Sequence, residues 1–155
     1  MKIQVLAIGT KMPGWVQQGC DEYLRRLPKE FAVELKELAL ANRSKSTSTQ
    51  AVVQTESDKL MAAVTPGYRV IALDKSGKSW STKQLAEQLS NWQLQSRSVA
   101  LLIGGPDGLS SSCIEAADGV WSLSALTLPH PLVRIVLFEQ LYRVWSLLHN
   151  HPYHK

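Results

Sequence analysis

The sequence predicts an α/β domain with a largely parallel sheet and helices on both faces. Two observations carry that prediction. Val99–Ile103 is an unbroken apolar run that feeds straight into Gly104-Gly105-Pro106-Asp107-Gly108, as a strand buried on both faces does before a loop at its carboxyl end. Elsewhere strand-like segments alternate with helix-like ones, the signature of crossover-connected parallel strands.

Ile3–Ile8 opens the chain as a strand. A helix over Gly14–Leu27 places Trp15, Val16, Tyr23 and Leu24 at helical spacing and stops at Pro28. Ala32–Leu38 is the second strand. Asn42–Gln50, NRSKSTSTQ, is a polar loop expected to be mobile, with Arg43 and Lys45 open to a phosphate backbone or simply solvated. Thr49–Val64 is a helix that ends before Pro66-Gly67, and Arg69–Leu73 is the third strand. Ser81-Thr82-Lys83-Gln84 has the spacing of a capping box and starts a helix running to about Trp92. A short helix over Ser110–Ala117, a short strand over Gly119–Ser122 and a long helix over Pro131–Leu148 complete the domain. The polar residues of that last helix, Glu139, Arg143, Ser146 and Asn150, form one narrow stripe. A helix this apolar must be buried on more than one side, by a second subunit or as a central core element.

At 155 residues the chain forms one domain, 1–155, and no linker divides it. The charge of +4 fits an anionic partner such as nucleic acid, although an ordinary basic surface would read the same. Cys20 and Cys113 make no spaced motif and read as buried thiols of a reducing compartment. Arg134, Glu139 and Arg143 interrupt the longest apolar segment, which argues against a membrane span. A cytoplasmic location is expected.

The sequence lacks a lysine-bearing phosphate loop, the dinucleotide glycine fingerprint, the serine nucleophile elbow and paired Cys-x-x-Cys units. It offers two loops of unusual composition. The first is the glycine loop. The second is Trp121–Pro131, WSLSALTLPHP, with apolar walls at Leu123, Ala125, Leu126 and Leu128 and backbone groups as hydrogen-bond partners. Together they suit a flat heterocycle with an uncharged or zwitterionic tail, though the same glycines and prolines also serve turns and packing. The end of the chain carries His149, His151 and His154, spaced poorly for a metal site; Tyr153, His154 and Lys155 better fit contact with a base and its phosphate.

Five motifs, VLAIGTKMPGW, LDKSGKSWS, LLIGGPDGL, WSLSALTLPHPLVR and EQLYRVW with HPYHK, span the chain. With them the sequence resembles the SPOUT-superfamily methyltransferases that modify N3 of a pseudouridine in 23S, large-subunit, ribosomal RNA. The resemblance implies a SPOUT-type fold whose C-terminal part is threaded as a deep trefoil knot. It implies S-adenosyl-L-methionine bound by Leu73, Gly104, Leu123, Ser124, Ala125, Leu126, Thr127 and Leu128, and no metal. It implies a homodimer, each site completed by the partner, acting on assembled ribosomes. It assigns catalysis to Tyr153 and His154 of the tail and to Arg143. Asp107 stands where relatives often carry Glu. Two other classes share these features: an RNA-binding module of the same fold without methyl transfer, and a different nucleotide-binding transferase.

Overall fold

The computed structural model describes residues 1–155, which form three layers around one five-stranded sheet. The strands are β1 (Lys2–Ile8), β2 (Ala32–Leu38), β3 (Arg69–Ser79), β4 (Val99–Ile103) and β5 (Gly119–Ser122). They lie in the order β2-β1-β4-β3-β5, every neighbouring pair parallel. β4 is central, which is why all five of its residues are apolar and buried.

Alternate side chains divide the core. Val5 and Ala7 face α1 (Gly14–Leu24), α3 (Thr82–Leu94) and α5 (His130–Leu148), in the larger cluster with Val16, Leu89 and Phe138. Leu6 and Ile8 face α2 (Thr49–Ala63) and α4 (Ser111–Ala116), in a smaller one with Leu60 and Cys113. α5 packs between α1 and α3, so part of its apolar surface is covered within the chain. Its ends are less covered: Leu132 and Leu148 remain exposed.

The capping box of α3 forms as the spacing predicts: the Gln84 N–H donates to Ser81 Oγ at 3.1 Å and the Ser81 N–H to Gln84 Oε1 at 2.8 Å. α1 stops at Leu24 rather than Leu27. Its last residues tighten from an i−4 bond at Arg25 to i−3 bonds at Arg26 and Leu27 on the approach to Pro28.

β3 runs six residues beyond the strand expected at Arg69–Leu73. Leu73 and Lys78 both pair with Trp121, so Asp74–Gly77 leaves the sheet and returns to the same partner. Gly77 permits the return, because a Cβ there would stand 2.6 Å from the Trp121 nitrogen.

In the exposed 42–50 loop the Arg43 guanidinium is engaged within the chain: it bonds Glu56 at 3.0 and 3.1 Å and stands 3.5 Å from Asp107 of the glycine loop, while Lys45 is exposed. Glu56 also accepts from the Ala41 N–H at 2.9 Å and is 1% exposed, so the loop is anchored on a buried carboxylate.

Candidate functional site

Residues 123–128 leave β5 and enter α5 through Pro129, wrapping a cleft of about 280 Å³ between the middle of β3, at Leu73–Lys75, and the carboxyl end of β5. Leu73, Leu123, Ala125, Leu126, Leu128 and Val133 give it apolar walls; Asp74, Lys75, Ser124 and Thr127 give it polar ones. The loop holds its own shape: Ser122 Oγ donates to the Ser124 carbonyl at 3.1 Å, and the Leu126 N–H donates to Ser124 Oγ at 2.9 Å. Leu126 is three-quarters exposed, an apolar side chain at the mouth of the cleft. Apolar walls with a few fixed polar groups suit a heterocycle, and Asp74 and Lys75 suit the ammonium and carboxylate of a zwitterion.

The structure thus gathers Leu73 and all six predicted loop residues. Gly104 does not line this cleft. It lies at the end of β4, so close to Gly108 that a Cβ would meet its backbone at 2.7 Å. His130 lies in the first turn of α5. His130 accepts from Arg134 Nε at 3.1 Å. Arg134 is 1% exposed; it pairs with Glu37 and donates to the Gly9 carbonyl at 2.8 Å. Burial first, and the neighbouring Arg134 cation second, hold the His130 ring below its ordinary pKa.

The predicted catalytic residues come together at the other end of α5. Arg143 Nε donates to Glu139 Oε1 at 2.8 Å, and the Tyr153 hydroxyl donates to the same oxygen at 3.2 Å. The Arg143 guanidinium lies 5.0 Å from the Tyr153 ring centroid, so Glu139 and a cation–π contact hold both groups together. Burial first, then the neighbouring Tyr23 and the Glu139 charge, pushes the Tyr153 phenol up to about 12. It is therefore a donor near neutral pH and not a base.

His154 is set by Ser146, which is fully buried. Ser146 Oγ donates its one proton to the His151 carbonyl at 2.8 Å. It can only accept from His154 Nδ1, at 3.0 Å, as it does from the His154 N–H at 3.2 Å. His154 is thereby held with its proton on Nδ1, leaving the Nε2 lone pair for a proton acceptor's role. His149 instead stacks on Trp145, and no three His, Cys, Asp or Glu side chains converge to hold a metal.

The two groups are far apart in one chain. Ser146, which seats His154, lies about 20 Å along α5 from Val133 of the cleft, at about 1.5 Å per residue.

Glu139, Ser146, Arg134 and His130 escaped the sequence reading as functional residues. The first two stood in the polar stripe of α5, where the three- and four-residue spacing to Arg143 was the available signal. Arg134 was a visible signal too: a charge inside a helix too apolar for a solvated surface. Asp74 and Lys75 gave none, because nothing in LDKSG foretells an excursion from a strand.

The family described as "Predicted SPOUT methyltransferase" matches residues 1–154. Three curated relatives, each named "Ribosomal RNA large subunit methyltransferase H", align over the whole of both chains. That of Saccharophagus degradans is 58% identical over 155 residues, that of Teredinibacter turnerae 56% over 158, and that of a Marinomonas species 50% over 155. No helix is long and apolar enough to cross a membrane.

Proposed function

The chain belongs to the SPOUT methyltransferase family, and from that premise we propose that it methylates N3 of a pseudouridine in large-subunit ribosomal RNA. The cofactor is S-adenosyl-L-methionine, held in the cleft of loop 123–128 with Gly104 alongside. The fit rests on the cleft itself: apolar walls for adenine, with Asp74 and Lys75 for the charged amino-acid end. When bound, the cofactor supplies an electrophilic methyl group.

The chain's own residues do the rest. His154, held with its proton on Nδ1, offers Nε2 to take the proton that leaves N3. Arg143 faces the charge developing on a uracil carbonyl. Tyr153 packs against the base, its hydroxyl tied to Glu139.

One observation carries the assembly reading: the separation of about 20 Å along α5 between the cleft and the seat of His154. Reacting atoms must come within roughly 3–3.5 Å of one another, so the tail of one chain cannot serve its own cleft. A two-fold homodimer resolves this, each tail serving the partner's cleft. Family membership supports the dimer and the knotted threading around it. A small protein of charge +4 grips an isolated RNA weakly, which favours assembled ribosomes as the substrate and the cytoplasm as the place of action.

The test is methyl transfer to ribosomes from cells lacking the protein, with labelled cofactor and mapping of the modified base. Label on pseudouridine N3 is the expected result. Cofactor binding without transfer would replace this reading by that of a non-catalytic RNA-binding module. A full single-turnover rate in His154→Ala at saturating ribosomes would remove His154 as the base.

A further inference from the structure

A second groove, of about 410 Å³, opens beside β3 and β5 and shares no lining residue with the cofactor cleft. The Asp74–Gly77 excursion joins the two: Asp74 and Lys75 line the cleft, while Ser76 and Gly77 line the groove, followed by Lys78. An RNA strand that brings its target base to the cleft therefore passes within reach of the groove.

The groove holds unspent positive charge. Of the seven arginines in the chain, five pair with carboxylates, and Arg69 and Arg97 do not. Arg69 is half-buried in the groove wall. It spends one guanidinium N–H on Gln95 Oε1 at 2.8 Å, and its Nε is buried without a partner. A guanidinium can only donate, and buried donors are normally bonded, so this group lacks an acceptor. Lys78, exposed on the same groove, is a second cation.

The other walls narrow the choice of ligand. Trp80 is a flat, braced surface: it stacks on Trp121 at 5.4 Å and meets Trp92 edge-on at 6.1 Å. Asp118 is the one carboxylate of the groove; its Oδ2 accepts from the Val70 N–H at 2.7 Å, which leaves Oδ1 to accept from a ligand. A free anion would leave Trp80 and Asp118 without a role. An acidic peptide would meet Asp118 as a like charge. A nucleotide uses every wall: its phosphate accepts from Arg69 and Lys78, its base stacks on Trp80, and a base N–H donates to Asp118.

We propose that this groove binds a nucleotide of the ribosomal RNA strand that flanks the target base. Phosphate contacts fix the register of a strand, so the groove helps to decide which base reaches the cleft. The proposal rests on the reading of the chain as a ribosomal RNA methyltransferase.

The experiment measures binding of the full-length protein to unmodified ribosomes over a range of salt, by filter binding with S-adenosylhomocysteine present. Arg69→Gln should weaken binding about tenfold, as loss of a charge-assisted contact does. Lys78→Gln removes a point charge on an exposed stem and should weaken it about threefold. Each should make the plot of log affinity against log salt shallower by about 0.7, the share of one phosphate of a single strand. Affinity for S-adenosylhomocysteine and the single-turnover rate at saturating ribosomes should stay within about twofold, which separates a lost substrate contact from damage to the fold or the chemistry. Lys78→Gln changes an exposed side chain and keeps the test open if Arg69→Gln fails to fold. Lys78→Cys carrying an azidophenacyl group on its thiol then identifies the occupant; Cys20 and Cys113 are buried and stay unlabelled. Crosslinks to ribosomal RNA beside the target pseudouridine are expected. Crosslinks to a ribosomal protein alone overturn the proposal, and so do wild-type affinity and salt slope in both glutamine variants. If wild type binds ribosomes but transfers no methyl group, the methyl-transfer reading fails, while the crosslink still decides what the groove holds.

Discussion

The division of labour between the two ends of α5 predicts a specific result for mixed dimers. One chain carries Ala125→Trp, which fills the cleft of about 280 Å³ but leaves the tail intact. The other carries Arg143→Ala and His154→Ala, which disable the tail but leave the cleft. Each homodimer is inactive, because every site lacks one component. The seat of His154 lies about 20 Å along α5 from Val133, so in the proposed dimer a working site draws cleft and tail from different chains. Random mixing makes about half of the dimers mixed, and in each of those one of two sites is whole, so about a quarter of wild-type activity returns. The assay is methyl transfer to unmodified ribosomes after co-refolding the chains, with each homodimer as a blank. If activity stayed at the level of the blanks while mixed dimers were present, cleft and tail of one chain would have to act together, and the argument from separation would be wrong.

Other outcomes follow from single contacts. Glu139→Gln withdraws the charge that holds Arg143 and Tyr153; methyl transfer should fall about tenfold or more, with S-adenosylhomocysteine affinity unchanged within about twofold. Glu56→Ala leaves the Ala41 N–H and Arg43 without their buried partner and should cost about 3 kcal/mol in urea denaturation. The Tyr153 phenol, raised to about 12 from 10.0, stabilises the docked tail fully below pH 10 and loses that contribution as the pH rises through about 12; an alkaline ultraviolet titration should lose its last step in Tyr153→Phe. Cys20 is buried and pushed up to about 11, so a thiol reagent at mildly alkaline pH should label it only after unfolding.

What the sequence made legible was whatever is decided locally. Val99–Ile103 had to be a buried strand, and Ser81 with Gln84 had to cap a helix, because burial and capping depend on neighbours in the chain. Leu123, Ala125, Leu126 and Leu128 were legible as the apolar walls of a loop, Leu73, Ser124 and Thr127 came from the family resemblance, and the structure brings all seven to one cleft. What stayed hidden was partnership at a distance. Arg43 read as a solvated cation because its partner Glu56 lies thirteen positions on, in another element. Arg134 read only as an interruption because Glu37 is 97 residues away. Ser146 read as one more polar position on a stripe, yet it is fully buried and sets the tautomer of His154. Ion pairs and proton inventories of this kind depend on topology, which hydrophobic periodicity does not encode.

The excursion of Asp74–Gly77 begins and ends opposite the same residue, Trp121. To the rest of the sheet it is a closed parenthesis: residues added or removed inside it leave the pairing of Leu73 and of Lys78 where they are. Yet its first two residues supply the charged rim of the cleft. The protein therefore keeps the charged part of this rim on a segment whose length can change without disturbing the scaffold. On the proposed reading of the cleft, that segment is where cofactor affinity can be altered without touching the sheet, and where an engineer would graft new chemistry first.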